Sequence, residues 1–416
     1  HPESGRLWET HINKILTSDD LKFKTTTHDR TIYTTVFEGE RVYLLRQVDD
    51  FALACTTESI SDKIYDIIGQ KLKLEKEDTI PFVKMGLLDD FNGIDVKQTA
   101  EYTELSCGNY IDRIMKSHKW ENDAKMKPHS KPTAPLSTET LNLLQSQPSG
   151  PVEGTKEHEE LQSESGFSYR TLLGEMMFAY VSCRPDIGYA VTLMSKYGSN
   201  PTAYHYRCLK NIARYLRTTR NWGIRYYRSD IDKSLQAGEP IDLERDKSLP
   251  EYPEDIKKGK LICFVDAAYG NDPKRRRSTT GYAFTYAGGA IVYRSKAQSI
   301  TAQSSTEAEF IAAVTAAKTA IYLRSVLNEL GFNQDEPTPI YEDNASAIEI
   351  INAQKPTERS RHIEIRFFAI QDWKMKGEIK MLHIPGVINP ADDLTKPLGW
   401  ILHSRHARYI MGHYSG

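Results

Sequence analysis

The spacing of apolar and polar positions changes several times along the chain, and each change predicts an element. Leu7 to Leu16 has helical periodicity, and Thr31–Glu38 alternates as a strand does. Two apolar strands follow, flanking Asp49-Asp50, and a helix is predicted over Ser59–Leu72. Tyr169 to Arg228 reads as strongly helical, with Pro185 restarting the chain. The helix after Pro201 carries Leu209, Ile212, Ala213 and Leu216 on one face.

Beyond Gly259 the pattern is clearest. Leu261 to Val265 is a short apolar run closing on Asp266, the mark of a buried strand. Hairpin strands are predicted near Gly281–Tyr286 and Ala290–Arg294, around the turn signal Gly288-Gly289. A long helix is predicted over Ser304–Leu330, with Ser305 or Thr306 near its cap and Gly331 at its end. Pro339–Asp343 is a strand ending on a carboxylate. A helix follows, then a helix over Arg361–Lys376, a strand over Glu378–Ile384, and a turn through Asn389-Pro-Ala-Asp392 into a last helix.

Between these regions the material differs. Residues 137–166 are Ser-, Thr-, Gln-, Glu- and Pro-rich and predict a flexible linker; residues 229–258, with Pro240, Pro250 and Pro253, predict a polar second one. The expected division is therefore 1–136, linker 137–166, helical 167–228, linker 229–258, an α/β domain 259–398 and a tail 399–416. A chain of 416 residues is too long for one ordinary core, which agrees with several domains.

Charge narrows the function. The formal net charge of −2 excludes a uniformly basic nucleic-acid binder, so such binding would need local patches. Two are present: Arg207, Lys210, Arg214 and Arg217 at helical intervals, and the loop Lys274-Arg275-Arg276-Arg277. The five cysteines have no C-x-x-C spacing, which reads as reduced intracellular thiols and neither a disulfide framework nor a zinc site. No apolar run approaches a membrane span and no signal peptide is visible. The chain begins without methionine, and the expectation is a piece of a longer polyprotein.

The acidic residues carry the chemistry. A carboxylate at the end of a buried strand is costly unless paired or holding a metal. Glu309, Asp343 and Asp392 stand where a fold could bring them to Asp266, and such a cluster suits hard divalent cations, Mg²⁺ or Mn²⁺, rather than zinc. Glu307 and Glu309 lie about 200° apart on a helix, so both cannot face the site equally, and the apolar stripe does not decide between them.

Several motifs resemble Ty1/copia retrotransposon Pol polyproteins. Gln47-Val-Asp-Asp50 resembles the catalytic hairpin of their reverse transcriptase, with Gln47 in place of an aromatic residue. Pro2-Glu-Ser-Gly-Arg-Leu-Trp8, Phe91-Asn-Gly-Ile-Asp-Val-Lys-Gln98 and Ser106-Cys-Gly-Asn-Tyr-Ile111 resemble its surroundings. Arg184-Pro-Asp-Ile187 and Ser199-Asn-Pro-Thr202 resemble the segment between polymerase and nuclease. Val265-Asp-Ala, Arg277-Ser-Thr-Thr-Gly281, Ser304-Ser-Thr-Glu-Ala-Glu309, Glu342-Asp-Asn344, Arg361-His-Ile363 and Ala391-Asp-Asp-Leu-Thr-Lys-Pro397 resemble copia-type ribonuclease H.

The resemblance implies an α/β (α+β, multidomain) chain: a partial reverse-transcriptase palm, a helical thumb or connection, and a ribonuclease H sheet of five mixed strands with flanking helices. It implies two Mg²⁺ or Mn²⁺ ions on Asp266, Glu309, Asp343 and Asp392, and hydrolysis of RNA in RNA–DNA hybrids. It selects Glu309 over Glu307, and leaves Asp393 to interact with a helix-start dipole. It makes Asp49 and Asp50 metal ligands of a polymerase whose third aspartate has no candidate upstream. Asn344, Arg361 and His362 join the two basic groups as nucleic-acid contacts.

One departure from many ribonucleases H is Val387 after Pro385-Gly386, where a mobile histidine is common; His383 or His362 could substitute. His403-Ser-Arg-His406 has metal-pair spacing, with a structural role the better expectation. Expected partners are RNA–DNA hybrid, template–primer and other products of the same polyprotein, in a cytoplasmic virus-like particle or the nucleus. The alternatives are a catalytically incomplete nucleic-acid-binding structural fragment, and a three-acid integrase or transposase nuclease.

Overall fold

The computed structural model describes residues 3–72, 82–130, 133–239, 251–253, 259–272, 275–353 and 364–413. Two compact units hold the chain: residues 1–92 with 322–333, and residues 93–321 with 334–416.

In the first unit, helix α1 (Ser4–Leu16) precedes strands β1 (Lys24–Thr25), β2 (Ile32–Phe37), β3 (Glu40–Gln47) and β4 (Asp50–Ala54), then helix α2 (Glu58–Leu72). The strands pair antiparallel in sequence order. Ile60, Ile64 and Ile68 recur every four residues, so α2 presents one apolar stripe, which packs in a core with Ile12, Leu16, Val42 and Leu44. Gln47 pairs with Asp50, leaving Val48 and Asp49 as a two-residue turn with Val48 at φ 54°.

The second unit opens with strands β5 (Ile94–Gln98) and β6 (Tyr102–Ser106). Helices α3 (Gly108–Ser117), α4 (Thr138–Ser146), α5 (Lys156–Ser165), α6 (Tyr169–Ser182), α7 (Gly188–Ser195) and α8 (Ala203–Thr218) follow. The expected flexible linker is thus largely helical. Ser137 Oγ accepts the Thr140 N–H at the start of α4, Thr155 does the same for His158 in α5, and Gly166 ends α5 in the left-handed region. Capping chemistry and the burial of Leu144 outweigh the polar composition. The helical segment also ends in a strand, β7 (Gly223–Tyr227), paired with β6.

A five-stranded sheet follows, made of β8 (Ile262–Ala268), β9 (Thr279–Tyr286), β10 (Gly289–Ala297), β11 (Thr338–Glu342) and β12 (Ile379–His383). Its order is β10-β9-β8-β11-β12; the first three strands are antiparallel, and β11 and β12 run parallel to β8. This is the mixed sheet the resemblance implies. Helix α9 (Ser305–Glu329) has the length and apolar composition of a membrane-crossing helix, but residues 307–314 are all buried within the protein, so it is a core helix. Helices α10 (Ala345–Asn352), α11 (Glu364–Met375) and α12 (Trp400–Ile410) complete the unit.

The expected boundaries near residues 167, 228 and 259 are not divisions of packing. One buried apolar cluster runs from Cys107 and Ile111 through Leu172, Met194 and Leu209 to Phe264, Leu394 and Ile410. The expected tail is part of it: α12 buries Ala407, Tyr409 and Ile410. Tyr252 is buried as well, its ring stacked on Tyr409 at 3.6 Å and its hydroxyl 2.6 Å from His406 Nδ1.

Candidate metal-binding carboxylate site

Sheet register builds the site. On the antiparallel side Asp266 faces Gly281. On the parallel side Ile340 pairs with Cys263 and Tyr341 with Phe264, so continuing that register sets Asp343 beside Asp266. Carboxylate oxygens of Asp266, Glu309 and Asp343 all lie within 4.8 Å of one another.

Asp392 arrives from a 3₁₀ turn, Pro390–Leu394, rather than from the start of a regular helix. Asn389 ties this turn to β8: its Nδ2 donates to Val265 O at 2.9 Å while its Oδ1 accepts the Ala391 N–H. The Thr395 hydroxyl donates to Asp266 Oδ2. Two glycines make the closeness possible. A Cβ on Gly281 would lie 2.5 Å from Thr395 Cγ2 and 3.0 Å from Ala391 O, and one on Gly386 would lie 2.9 Å from Asp343 Oδ2.

The choice between Glu307 and Glu309 is settled by capping. Glu307 Oε2 accepts the Gln303 N–H at 2.7 Å, and the Glu307 N–H donates to Ser304 Oγ, which holds it at the start of α9. Glu309, two residues on, turns to the carboxylates, and its Oε2 is buried with no hydrogen-bond partner among the described residues.

Electrostatics follow from that crowding. Burial, then the charges of Glu342, Asp266 and Asp343, push Glu309 up to about 11. Asp392 is pushed up to about 8 by burial and then Asp266, against the opposing Lys396. Burial and then Asp266 also raise Asp343. Such a cluster, driven to hold protons when no cation neutralises it, with an orphaned carboxylate oxygen and an all-oxygen donor set, fits a hard divalent cation.

Two further residues of the quoted motifs, given no role from the sequence, stand at the site. Lys396 Nζ stands 2.8 Å from Asp392 Oδ1 and 4.0 Å from Asp266 Oδ2. Burial lowers its pKa, but Asp266 and Asp392 outweigh that and leave it raised. Its spacing of four residues after Asp392 was the available signal. Glu342 is fully buried one residue before Asp343, with burial as the main cause of a pKa well above the carboxylate range. No periodicity marks it, because an acidic residue inside a strand reads as polar and outward.

The remaining expected residues divide. Arg275 and Arg276 are exposed in the loop joining β8 to β9, and Thr279 pairs with Ala268, two residues past Asp266, so the loop lies at the site's end of the sheet. Lys274, Arg361 and His362 lie outside the described residues. Asn344 caps α10, its Oδ1 accepting the Ala347 N–H at 2.9 Å.

The expected basic stripe on α8 is mostly spent inside the chain. Lys210 pairs with Asp123 and sits over the Trp120 ring. Arg214 donates to Lys127 O, and Arg217 donates to the carbonyls of Trp120, Glu121 and Met126. These side chains fasten the 120–127 segment to α8. Arg207 is exposed, over Tyr204. In the first unit Asp49 and Asp50 are exposed, and among the described residues no third carboxylate joins them in a cation-binding group.

Behind the site runs a buried polar chain. Arg184 grips Asp186 through two hydrogen bonds of 2.9 and 2.6 Å and also donates to Thr219. Tyr215 Oη donates to Asp186 Oδ2 at 2.7 Å and lies 2.9 Å from His403 Nε2, while His403 Nδ1 lies 2.6 Å from Asp393 Oδ1. The single tyrosine proton goes to Asp186, so both ring nitrogens of His403 must donate. Despite burial, which acts against it, Asp393 raises the imidazole pKa accordingly. Asp393 is therefore a buried ion-pair partner and not the helix-start carboxylate expected. His403 and His406 are each committed to separate partners, which removes the metal-pair reading.

No protein-family model matches the chain. It is 30% identical over 397 residues to the retrovirus-related Pol polyprotein from transposon TNT 1-94 of Nicotiana tabacum, an alignment covering 95% of this chain and 26% of that protein. Against the Pol polyprotein from transposon RE1 of Arabidopsis thaliana it is 26% identical, covering 95% of this chain and 23% of that one. The chain thus spans about a quarter of the length of these curated relatives. Among solved structures, LC11-RNase H1 in complex with RNA/DNA hybrid is similar over 33% of this chain and 94% of that one, at 17% identity and a TM-score of 0.26. Aligned over nearly its whole length with such polyproteins, the chain belongs to the copia-type retrotransposon Pol polyproteins.

Proposed function

We propose that the second unit is a metal-dependent nuclease that hydrolyses the RNA strand of RNA–DNA hybrids. The observation that carries this is the meeting of Asp266, Glu309 and Asp343 within 4.8 Å, the first two buried and the third half-buried, all mutually repelling, with Asp392 linked to Asp266 through Lys396. Asp266, Glu309, Asp343 and Asp392 would hold two divalent cations, Mg²⁺ or Mn²⁺, which when bound supply Lewis acidity and a water acidic enough to attack a phosphodiester. The chain's own groups do the rest. Thr395 and Asn389 orient Asp266 and its strand end, and Lys396 offsets negative charge at the rim. Arg275, Arg276 and Arg277 would hold the hybrid's phosphate backbone, a salt-sensitive contact.

Asp343→Asn keeps size and hydrogen bonding while removing a ligand charge. Cleavage of a labelled RNA–DNA hybrid in Mg²⁺ should fall by at least about 100-fold with an unchanged circular dichroism spectrum. Retained cleavage would overturn the assignment.

RNA-directed DNA synthesis is proposed for the longer polyprotein, with Asp49 and Asp50 among its metal ligands. The exposure of that pair, and the lack of a third carboxylate beside it among the described residues, support the second reading for the first unit: a catalytically incomplete structural fragment of the element. A cytoplasmic particle or the nucleus as the place of action rests on the resemblance alone.

A further inference from the structure

We propose that the buried chain Arg184–Asp186–Tyr215–His403–Asp393 is positioning machinery for the carboxylate site, and that the helical segment carrying its first three members is thereby part of the nuclease. The inference rests on the metal-site reading above. Asp392 and Asp393 are consecutive on one 3₁₀ turn, so their carboxylates leave it in different directions. One reaches Lys396 and the other His403. Fixing Asp393 therefore fixes the rotation of the turn, and with it where Asp392 points.

The turn has little other freedom. It packs on Gly281 without room for a methyl group, and Asn389 ties its start to Val265. On the near side the Thr395 hydroxyl holds the turn to Asp266, and the His403 bond to Asp393 adds the restraint on its rotation from the far side. His403 is held in turn by Tyr215 on α8, and Tyr215 by the Arg184–Asp186 pair, in which both side chains are fully buried. Buried ion pairs of this kind are often replaceable by apolar residues at no cost in stability. A chain of them ending beside a ligand points to geometry as its task.

The test uses the full chain, with Mn²⁺ as the probe, its binding followed by electron paramagnetic resonance. Hybrid cleavage is measured alongside in Mg²⁺. Tyr215→Phe keeps the ring and removes the hydroxyl that bridges Asp186 to His403. Loss of one charge-assisted hydrogen bond predicts Mn²⁺ affinity weakened about 10-fold and kcat lowered about 10-fold, with KM for the hybrid unchanged. Leu144→Ala, a cavity in the same core far from the turn in sequence, should lower the melting temperature while leaving Mn²⁺ affinity and kcat as in the wild type.

A folded Tyr215→Phe protein with wild-type Mn²⁺ affinity and kcat would overturn the proposal, as would Leu144→Ala weakening Mn²⁺ to the same degree. If Tyr215→Phe does not fold, His403→Gln is read by the same two outcomes. A wild-type chain that binds Mn²⁺ yet cleaves no hybrid would defeat the functional reading, while the metal-affinity arm still decides the positioning role.

Discussion

Replacing Glu309 with glutamine should make the metal-free protein more stable while removing its activity. Glu309 is pushed from its ordinary 4.5 up to about 11, by burial first and then by Glu342, Asp266 and Asp343. With its folded pKa raised, the group's contribution to stability is fully present below the unfolded value. It is lost progressively as pH rises from there towards the folded value. At pH 8 the unfolded chain has released the proton and the fold has kept it. The gap of 8 minus 4.5, at about 1.4 kcal/mol per unit, sets an upper bound of about 5 kcal/mol.

Protons shared among Glu309, Glu342 and Asp392 reduce what a single substitution recovers, to about 2–3 kcal/mol. Glutamine is neutral at every pH and has nearly the same shape. In EDTA at pH 8 the variant should melt about 3–5 °C above the wild type, and near pH 4.5 the two should coincide. Added Mg²⁺ should raise the wild-type melting temperature and move the variant far less, because the cation repays the repulsion only where the carboxylate remains. Thermal melts over pH 4.5–8, with EDTA or Mg²⁺, measure all of this. Equal melting temperatures in EDTA at pH 8 would refute the electrostatic account.

Two further predictions concern packing. Gly281→Ala places a methyl group 2.5 Å from Thr395 Cγ2 and 2.9 Å from Leu394 Cβ, so the turn carrying Asp392 must move; urea unfolding should show a loss of about 1–3 kcal/mol together with weakened hybrid cleavage. Tyr252→Ala empties the slot between Tyr409, His406 and Arg405 and should cost about 3 kcal/mol in the same assay with little effect on Mn²⁺ binding, which would establish residues 251–253 as an anchor rather than linker.

The elements themselves were readable because helix and strand periods are local. The Leu261–Val265 run, the hairpin around Gly288-Gly289 and the α2 isoleucines each declare their element within a dozen residues. The linker at 137–166 failed for a local reason as well: composition dominated the reading, while the caps Ser137 and Thr155 were present and outweighed it. The α8 basic stripe failed for a non-local one. Its period is real, but the 120–127 carbonyls that claim Arg214 and Arg217 lie some 90 residues away in the chain.

The sequence by itself determined that Asp343 follows a strand and that Glu307 and Glu309 stand at the start of a long helix, since each is set by neighbours a few residues away. Only the tertiary structure decided which of them meet. The pairing of Asp266 with Gly281, and of Ile340 with Cys263, is a matter of register, and a slip of one residue would turn a side chain to the opposite face. It also decided that Glu307 caps while Glu309 enters the site, that Lys396 stands among the acids, and that Asp393 turns away to His403. Charge burial and hydrogen-bond satisfaction are properties of what surrounds a group, and those surroundings come from segments up to two hundred residues apart.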